Sequence, residues 1–271
     1  MNVAVVGMGL IGGSFAKAAA RAGHAVSFCD PNRADIVEFP ALHDRFSEQD
    51  LILIAIPPAA VVPWIEAHQA SFRPGAIVVD ATGVKTEICA ALRKYAIDCP
   101  WTFIGGHPMA GKEVSGFENS KADLFKGASM ILTPYPSCGR GPLDLLESFF
   151  RGLGFGRVVF TTPEHHDEMI ALTSQLAHVV SSAYIQDPRA FDHQGYSAGS
   201  FHDMTRVARL DPDIWTDLFL ANRTALLDVL SGLIDRLGSY RAALAAADAE
   251  TLRKLLAAGR AARLESAPEK R

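Results

Sequence analysis

Val3-Ala4-Val5-Val6-Gly7-Met8-Gly9-Leu10-Ile11-Gly12-Gly13-Ser14 is the stretch that decides how this chain folds. A short β-branched run ends in Gly-x-Gly-x-x-Gly, and a helical pattern follows at 10–22. Gly7 permits the tight turn, Gly9 lets a pyrophosphate approach the backbone, and Gly12 allows close packing of helix on strand. The amides that open the helix, at Leu10 and Ile11, then face the phosphates. A second apolar run at 25–29 ends at Asp30, 18 residues after Gly12. An acid there accepts hydrogen bonds from adenosine ribose hydroxyls and repels a 2′-phosphate, which favours NAD over NADP. Arg33 keeps NADP open, because a guanidinium there can pair with a 2′-phosphate. Alone, the glycine pattern also describes an ordinary Gly-rich turn; the flanking strand, helix and acid set this one apart.

Working outward, β-branched runs at 51–56, 76–79, 102–104, 129–133 and 157–161 continue the alternation. Helical patterns lie between them at 59–70, 85–95 and 142–153, the signature of βαβ units and a parallel sheet. The crossover at 31–49 is cut down, with two prolines and a weak helical pattern. From Pro163 onward the strand signal disappears, and helices are expected at about 163–186, 200–209, 212–237 and 239–258, with a loose tail after Gly259. The expectation is an α/β chain: a Rossmann-type, doubly wound NAD-binding domain over 1–162, then an all-helical domain over 163–271.

The 271 residues carry 26 basic and 30 acidic side chains, a net charge of −4. With 49% apolar residues the chain can build a core, and with a mildly acidic balance it has no long-range field to gather nucleic acid or anionic membrane. The apolar run 51–65 is broken by Pro57, Pro58 and Pro63, too short and interrupted for a membrane span. The first residues show no basic n-region, so a signal peptide is not expected. Cys29, Cys89, Cys99 and Cys138 have neither C-x-x-C pairing nor histidines at metal spacing. Reduced structural thiols in a cytoplasmic protein, without a metal site, are the expectation.

Just past the expected strand at 102–104 comes Gly105-Gly106-His107-Pro108-Met109-Ala110-Gly111-Lys112-Glu113. Ligands of open parallel sheets bind beyond the carboxyl ends of the strands. A His there can take a proton near neutral pH, as oxidation of an alcohol requires. Spacing alone leaves His107 equally suited to capping or packing a loop.

Gly7–Ser14 and Gly105–Glu113 together resemble the prephenate/arogenate dehydrogenase family of tyrosine biosynthesis. The resemblance continues through His166-Asp167, Ser174-Gln175-Leu176-Ala177-His178, Asp203-Met204-Thr205-Arg206-Val207-Ala208 and Asp211-Pro212-x-x-Trp215. It implies oxidative decarboxylation of prephenate, or of arogenate, with hydride transfer to NAD. His107 is then the base, His178 a contact to the substrate side chain, Arg206 the partner of a substrate carboxylate, and Trp215 and Gly199 part of the substrate pocket. Glu113 organises the polar network, and Pro57 joins Gly7, Gly9, Leu10, Ile11, Gly12 and Asp30 at the cofactor. The resemblance also implies a homodimer through the helical domain. Read from pattern alone, His178 sits on a strip with Ser174 and Ser181, opposite an apolar side of Leu172, Leu176, Val179, Val180 and Ala183. On the same terms, Arg206 shares a helical face with His202 and Arg209 that a solvated cationic surface explains equally well.

The sequence departs from the family at Asp80-Ala81-Thr82-Gly83-Val84-Lys85, where members usually carry Asp-x-x-Ser-x-Lys. Gly83 occupies the Ser position, and either Thr82 beside it, from a shifted backbone, supplies the missing hydroxyl or a water fills the gap. Two other readings stay open: a β-hydroxyacid dehydrogenase-like enzyme, and an NAD-binding sensor without catalysis.

Overall fold

The computed structural model describes residues 1–42, 46–97, 99–112 and 114–266. Its sheet has seven strands in the order β2-β1-β3-β4-β5-β6-β7: β1 Asn2–Val6, β2 Ala25–Cys29, β3 Leu51–Ile54, β4 Ile77–Asp80, β5 Thr102–Pro108, β6 Ser129–Pro134 and β7 Arg157–Phe160. Strands β2 to β5 pair in parallel around β1, as the alternating pattern requires. Helices α1 (Leu10–Arg21), α2 (Pro58–His68), α3 (Thr86–Leu92) and α4 (Arg140–Gly152) make the crossovers. Between β2 and β3 the described residues form no α-helix, only a 3₁₀ turn at Phe46–Glu48.

The central strands are buried on both faces, so they read as continuous apolar runs. Val3 and Val5 of β1 and Leu51 and Leu53 of β3 enter one core with Phe15, Phe125 and Phe150. Ala4, Val6, Ile52 and Ile54 enter the other, with Ile65, Ile88 and Phe103. The chain places β2 on one side of β1 and β3 on the other, and this switch in strand order between β1 and β3 opens the crevice where such sheets bind ligands.

One strand corrects the sequence reading. The expected strand at 102–104 runs on to Pro108 and pairs antiparallel with β6, His107 opposite Ile131. The sheet is therefore mixed, and His107 sits on a strand, not in a loop. The bare glycines have a packing reason: a methyl group at Gly106 would lie 2.5 Å from the Asp80 carbonyl, and one at Gly105 would lie 2.3 Å from Thr133 Oγ1.

After β7 the chain is helical: α5 Pro163–Ile170, a π-helical turn Ala171–Gln175, α6 Leu176–Ile185, α7 Gly199–Thr205, α8 Pro212–Ala221, α9 Arg223–Ala245 and α10 Ala249–Glu265. Breaks fall at Asn222 and at 246–248, not near 238, and Gly259 lies inside α10 instead of starting a loose tail. The π turn inserts a residue and rotates the helix face, so the expected strips do not hold. Leu172 is exposed, while His166, Asp167, Gln175 and Ser181 are buried. Likewise α7 ends at Thr205 and tightens to 3₁₀ at Arg206–Ala208, which leaves Arg209 outside the shared α-helical face.

Contacts divide the chain into two compact units, Met1–Arg223 and Thr224–Arg271. The functional boundary expected at 162/163 falls inside the first. Among the described residues no helix is long and apolar enough to cross a membrane.

Candidate active site

The glycine loop is built for close approach. Gly7 has φ +84°, a conformation that side chains rarely adopt, and a methyl group there would lie 2.5 Å from the Ala55 carbonyl after β3. One on Gly12 would lie 1.8 Å from the Gly7 carbonyl, whereas the space above exposed Gly9 is open. Helix α1 has no side-chain cap and no acid in its first turn, so the Leu10 and Ile11 amides lack intrahelical acceptors and face this opening. Pro57, the N-cap of α2, stands exposed across the crevice at the end of β3. Asp30 accepts from the Met8 amide at 2.8 Å through one oxygen and from Asn32 at 3.0 Å through the other, which fixes its carboxylate beside the loop. Arg33 is engaged elsewhere: it grips Asp35 with two hydrogen bonds of 2.9 and 3.0 Å. These residues fit the pyrophosphate and ribose of a dinucleotide.

At the ends of β4 and β5 lies a fully buried ion pair. Lys85 Nζ meets Asp80 Oδ2 and donates to Thr82 Oγ1 at 2.9 Å, while the Gly106 amide donates to Asp80 Oδ1 at 3.1 Å. Thr82 in turn donates to Asp80, so its hydroxyl is absorbed in this cluster. Thr82 thus does not stand in for a hydroxyl beside His107, because a buried carboxylate and ammonium both compete for it. Glu113 lies outside the described residues.

His107 heads a chain of three groups. Its Nδ1 lies 2.9 Å from His166 Nε2, and His166 Nδ1 lies 2.7 Å from Asp167 Oδ1. The carboxylate assigns the tautomers: His166 Nδ1–H donates to Asp167, His107 Nδ1–H donates to His166 Nε2, and His107 Nε2 keeps its lone pair. Asp167 also accepts from the Lys85 and Thr86 amides, at 2.9 and 2.8 Å, at the start of α3. Burial pushes its carboxyl up, but hydrogen bonds from His166, Thr86 and Lys85 together hold it below the ordinary value. Burial, aided by His166 and Lys85, holds the His107 pKa well below 6.5, so the ring is neutral near pH 7. A neutral, oriented imidazole can take a proton from an alcohol. Sequence reasoning assigned neither His166 nor Asp167 a role; the only signal was their adjacency within the family resemblance.

A third cluster completes the arrangement. His178 Nδ1 donates to the Ser174 carbonyl at 2.9 Å, and its ring stacks on Trp215 with centroids 3.7 Å apart. Trp215 and Leu218 lie three residues apart on α8, hence one helical turn apart on one face. Leu218 reaches Gly83, and Gly83 faces His107: a methyl group on Gly83 would lie 3.3 Å from Leu218 Cδ2 and 4.0 Å from His107 Nε2. Gly199 opens α7, and Arg206 heads the 3₁₀ turn that packs on α6 with its side chain exposed.

Residues 16–160 match the family model described as prephenate dehydrogenase, nucleotide-binding domain, and residues 162–258 the one described as prephenate dehydrogenase, dimerization domain. The cyclohexadienyl dehydrogenase of Zymomonas mobilis is 30% identical over 269 residues, covering 93% of this chain and 91% of that protein. A crystal structure of prephenate dehydrogenase from A. aeolicus with hydroxyphenyl propionate and NAD+ superposes with a TM-score of 0.85 at 28% identity, covering 98% of both chains. Synechocystis arogenate dehydrogenase gives 0.83 at 27% identity, over 98% of this chain and all of that one.

Proposed function

The chain belongs to the prephenate dehydrogenase family, and from that premise we propose that it oxidises and decarboxylates prephenate, with NAD as cofactor, to 4-hydroxyphenylpyruvate in tyrosine biosynthesis. The observation that carries the reading is the His107 Nε2 lone pair, oriented by His166 and Asp167 at the carboxyl end of the sheet. The Gly7–Gly12 loop with the first amides of α1 holds the pyrophosphate, Asp30 the adenosine ribose, and Pro57 flanks the crevice. NAD, when bound, supplies the hydride acceptor. His107 takes the ring hydroxyl proton as the carbinol carbon is oxidised, and Asp167 stabilises the resulting charge through His166. Loss of the ring carboxylate as carbon dioxide sends its electron pair into the ring, and the phenolate oxygen takes the proton back from His107. Arg206 pairs with a substrate carboxylate, which suits the guanidinium fork, while His178 and Trp215 face the side chain and Gly199 leaves room for it.

Residues 1–162 serve the cofactor and 163–271 the substrate and the dimer. Exposed Leu227, Ile234, Leu237 and Leu244 along α9 support a homodimer built on this second part. Burial pushes the Cys89 thiol up to about 12, which suits a reduced structural thiol in the cytoplasm.

Mixing the protein with NAD and either prephenate or arogenate, and following absorbance of the reduced cofactor, tests the assignment. Turnover with prephenate is expected; turnover with arogenate alone transfers the assignment to that substrate, and silence with both ends it. Two further results should follow. Arg206→Gln should raise KM for prephenate with little change in kcat, by the loss of about 1.5–3 kcal/mol from a charge-assisted hydrogen bond; a selective loss of NAD binding would remove Arg206 from the substrate. Asp30→Ser should weaken NAD binding and narrow the preference against NADP, since the ribose partner and the repulsion of a 2′-phosphate disappear together. Initial rates with the two cofactors measure it.

A further inference from the structure

The space directly above Gly83 has two walls. One is the Cε1–Nε2 edge of His107, whose atoms lie 3.9 and 4.0 Å from the position a Gly83 methyl would take; the other is Leu218 Cδ2, 3.3 Å from the same point. The hydroxyl of neighbouring Thr82 is turned inward to Asp80, so the wall facing the base is a hydrocarbon. We propose that Leu218 is a positioning residue for the reaction, an apolar wall that closes the space above Gly83 and seats the reacting ring against His107 Nε2. The proposal rests on the reading of His107 as the base.

Leu218 is held by a dedicated set of polar contacts. Its carbonyl, near the end of α8, accepts from Gln175 Nε2 at 3.1 Å. Gln175 Oε1 accepts from Asn222 Nδ2 at 2.8 Å, and the same Asn222 nitrogen donates to the Asp167 carbonyl at 2.8 Å. Both amides are buried, and Gln175 belongs to the π turn, whose extra residue brings it inward. Asp167 thus anchors both walls: its carboxylate orients His166 and so the base, and its carbonyl fixes Asn222 and so Leu218. This explains why two polar amides are buried where apolar packing is the simpler choice: a hydrogen-bonded bridge fixes one geometry, where apolar contact tolerates sliding.

Closing this space with carbon does two things. It leaves the substrate ring one apolar surface opposite the base, which limits its approach to a single face. It also limits the access of water to partly buried His107, whose pKa is lowered most by burial. The charged groups facing the ring are His166 and Asp167 from α5 and Lys85 from the start of α3; β6 opposes it with Ile131. Shortening Leu218 changes none of these charges, so any shift in His107 titration reports hydration. The base works only when neutral, so activity falls as pH drops through the His107 pKa. Rehydration raises that pKa towards 6.5 and moves the acid limb to higher pH.

The test combines kinetics with titration of the free protein. Leu218→Ala should lower kcat/KM for prephenate about tenfold, the scale of lost apolar contact in a pocket, and move both the acid limb and the His107 ring NMR titration to higher pH. Gly83→Ala, which presses a methyl on Leu218, should cost several-fold alone but almost nothing in the Leu218→Ala background. Leu218→Val should give the same directions with smaller size and serves if the alanine variant is poorly folded. An unmoved His107 titration in both Leu218 variants, or equal cost of Gly83→Ala in both backgrounds, overturns the role of Leu218 while normal turnover leaves the reaction standing. No turnover by the unsubstituted chain with prephenate or arogenate overturns the reaction itself.

Discussion

Replacing His107 by Asn should lower kcat by about 10²–10⁴-fold, the usual contribution of a positioned general base, while NAD binds as before. The amide keeps a donor towards His166 Nε2 but cannot accept a proton, so the substitution removes chemistry with little change in packing. NAD affinity should hold because the glycine loop and Asp30, proposed to hold the dinucleotide, lie on other elements than His107. Single-turnover rates and cofactor titration by fluorescence measure the two quantities, and an undiminished rate removes His107 from the mechanism. The wild-type pH profile adds a sign. Since the His107 pKa lies well below 6.5, the acid limb of kcat/KM should fall below pH 6.5 and not on it. His166→Gln should move that limb, because it removes the nearest histidine and cuts the link to Asp167.

Replacing Lys85 by Met should cost about 3–5 kcal/mol of stability, the penalty for leaving one member of a buried pair alone. Both side chains are fully buried, and the Asp80 carboxylate keeps only Thr82 and the Gly106 amide. For a chain of this size that corresponds to a loss of roughly 10 °C in Tm, readable by calorimetry. The double variant Asp80→Asn/Lys85→Met should recover much of the loss, because the stranded charge has gone. Equal stability of Lys85→Met and wild type would mean that water reaches the pair. Activity should fall in parallel, since the cluster sets the join of β4 and β5 from which Gly83 and His107 both project.

Local patterns in the chain carried much of the fold. Strand alternation at 3–6 and 51–54, the cut-down crossover at 31–49 and the change to helices at Pro163 were legible because each depends on near neighbours. The phase of the helix after Pro163 was not. Five residues in π geometry, Ala171–Gln175, bury Gln175 and expose Leu172, and no 3.6-residue period anticipates an inserted residue. His107 was recognisable as a candidate base, but its strand setting depended on pairing with β6, more than twenty positions later.

By itself the sequence determined the dinucleotide loop, the acid that follows it, the order of strands and helices, and the family. Those are written in turn chemistry, short-range periodicity and motif spacing. Only the tertiary structure decided which way His107 points and what completes it. Its partner His166 is 59 residues away, Asp167 joins amides 81 and 82 residues distant, and Gly83 meets Leu218 across two-thirds as many positions again. It also decided that Thr82 serves a buried ion pair, because one hydroxyl within reach of a buried carboxylate and ammonium is spent there and cannot also face a substrate. Spacing along the chain holds no information on such meetings; they exist only once the sheet and the helices have packed.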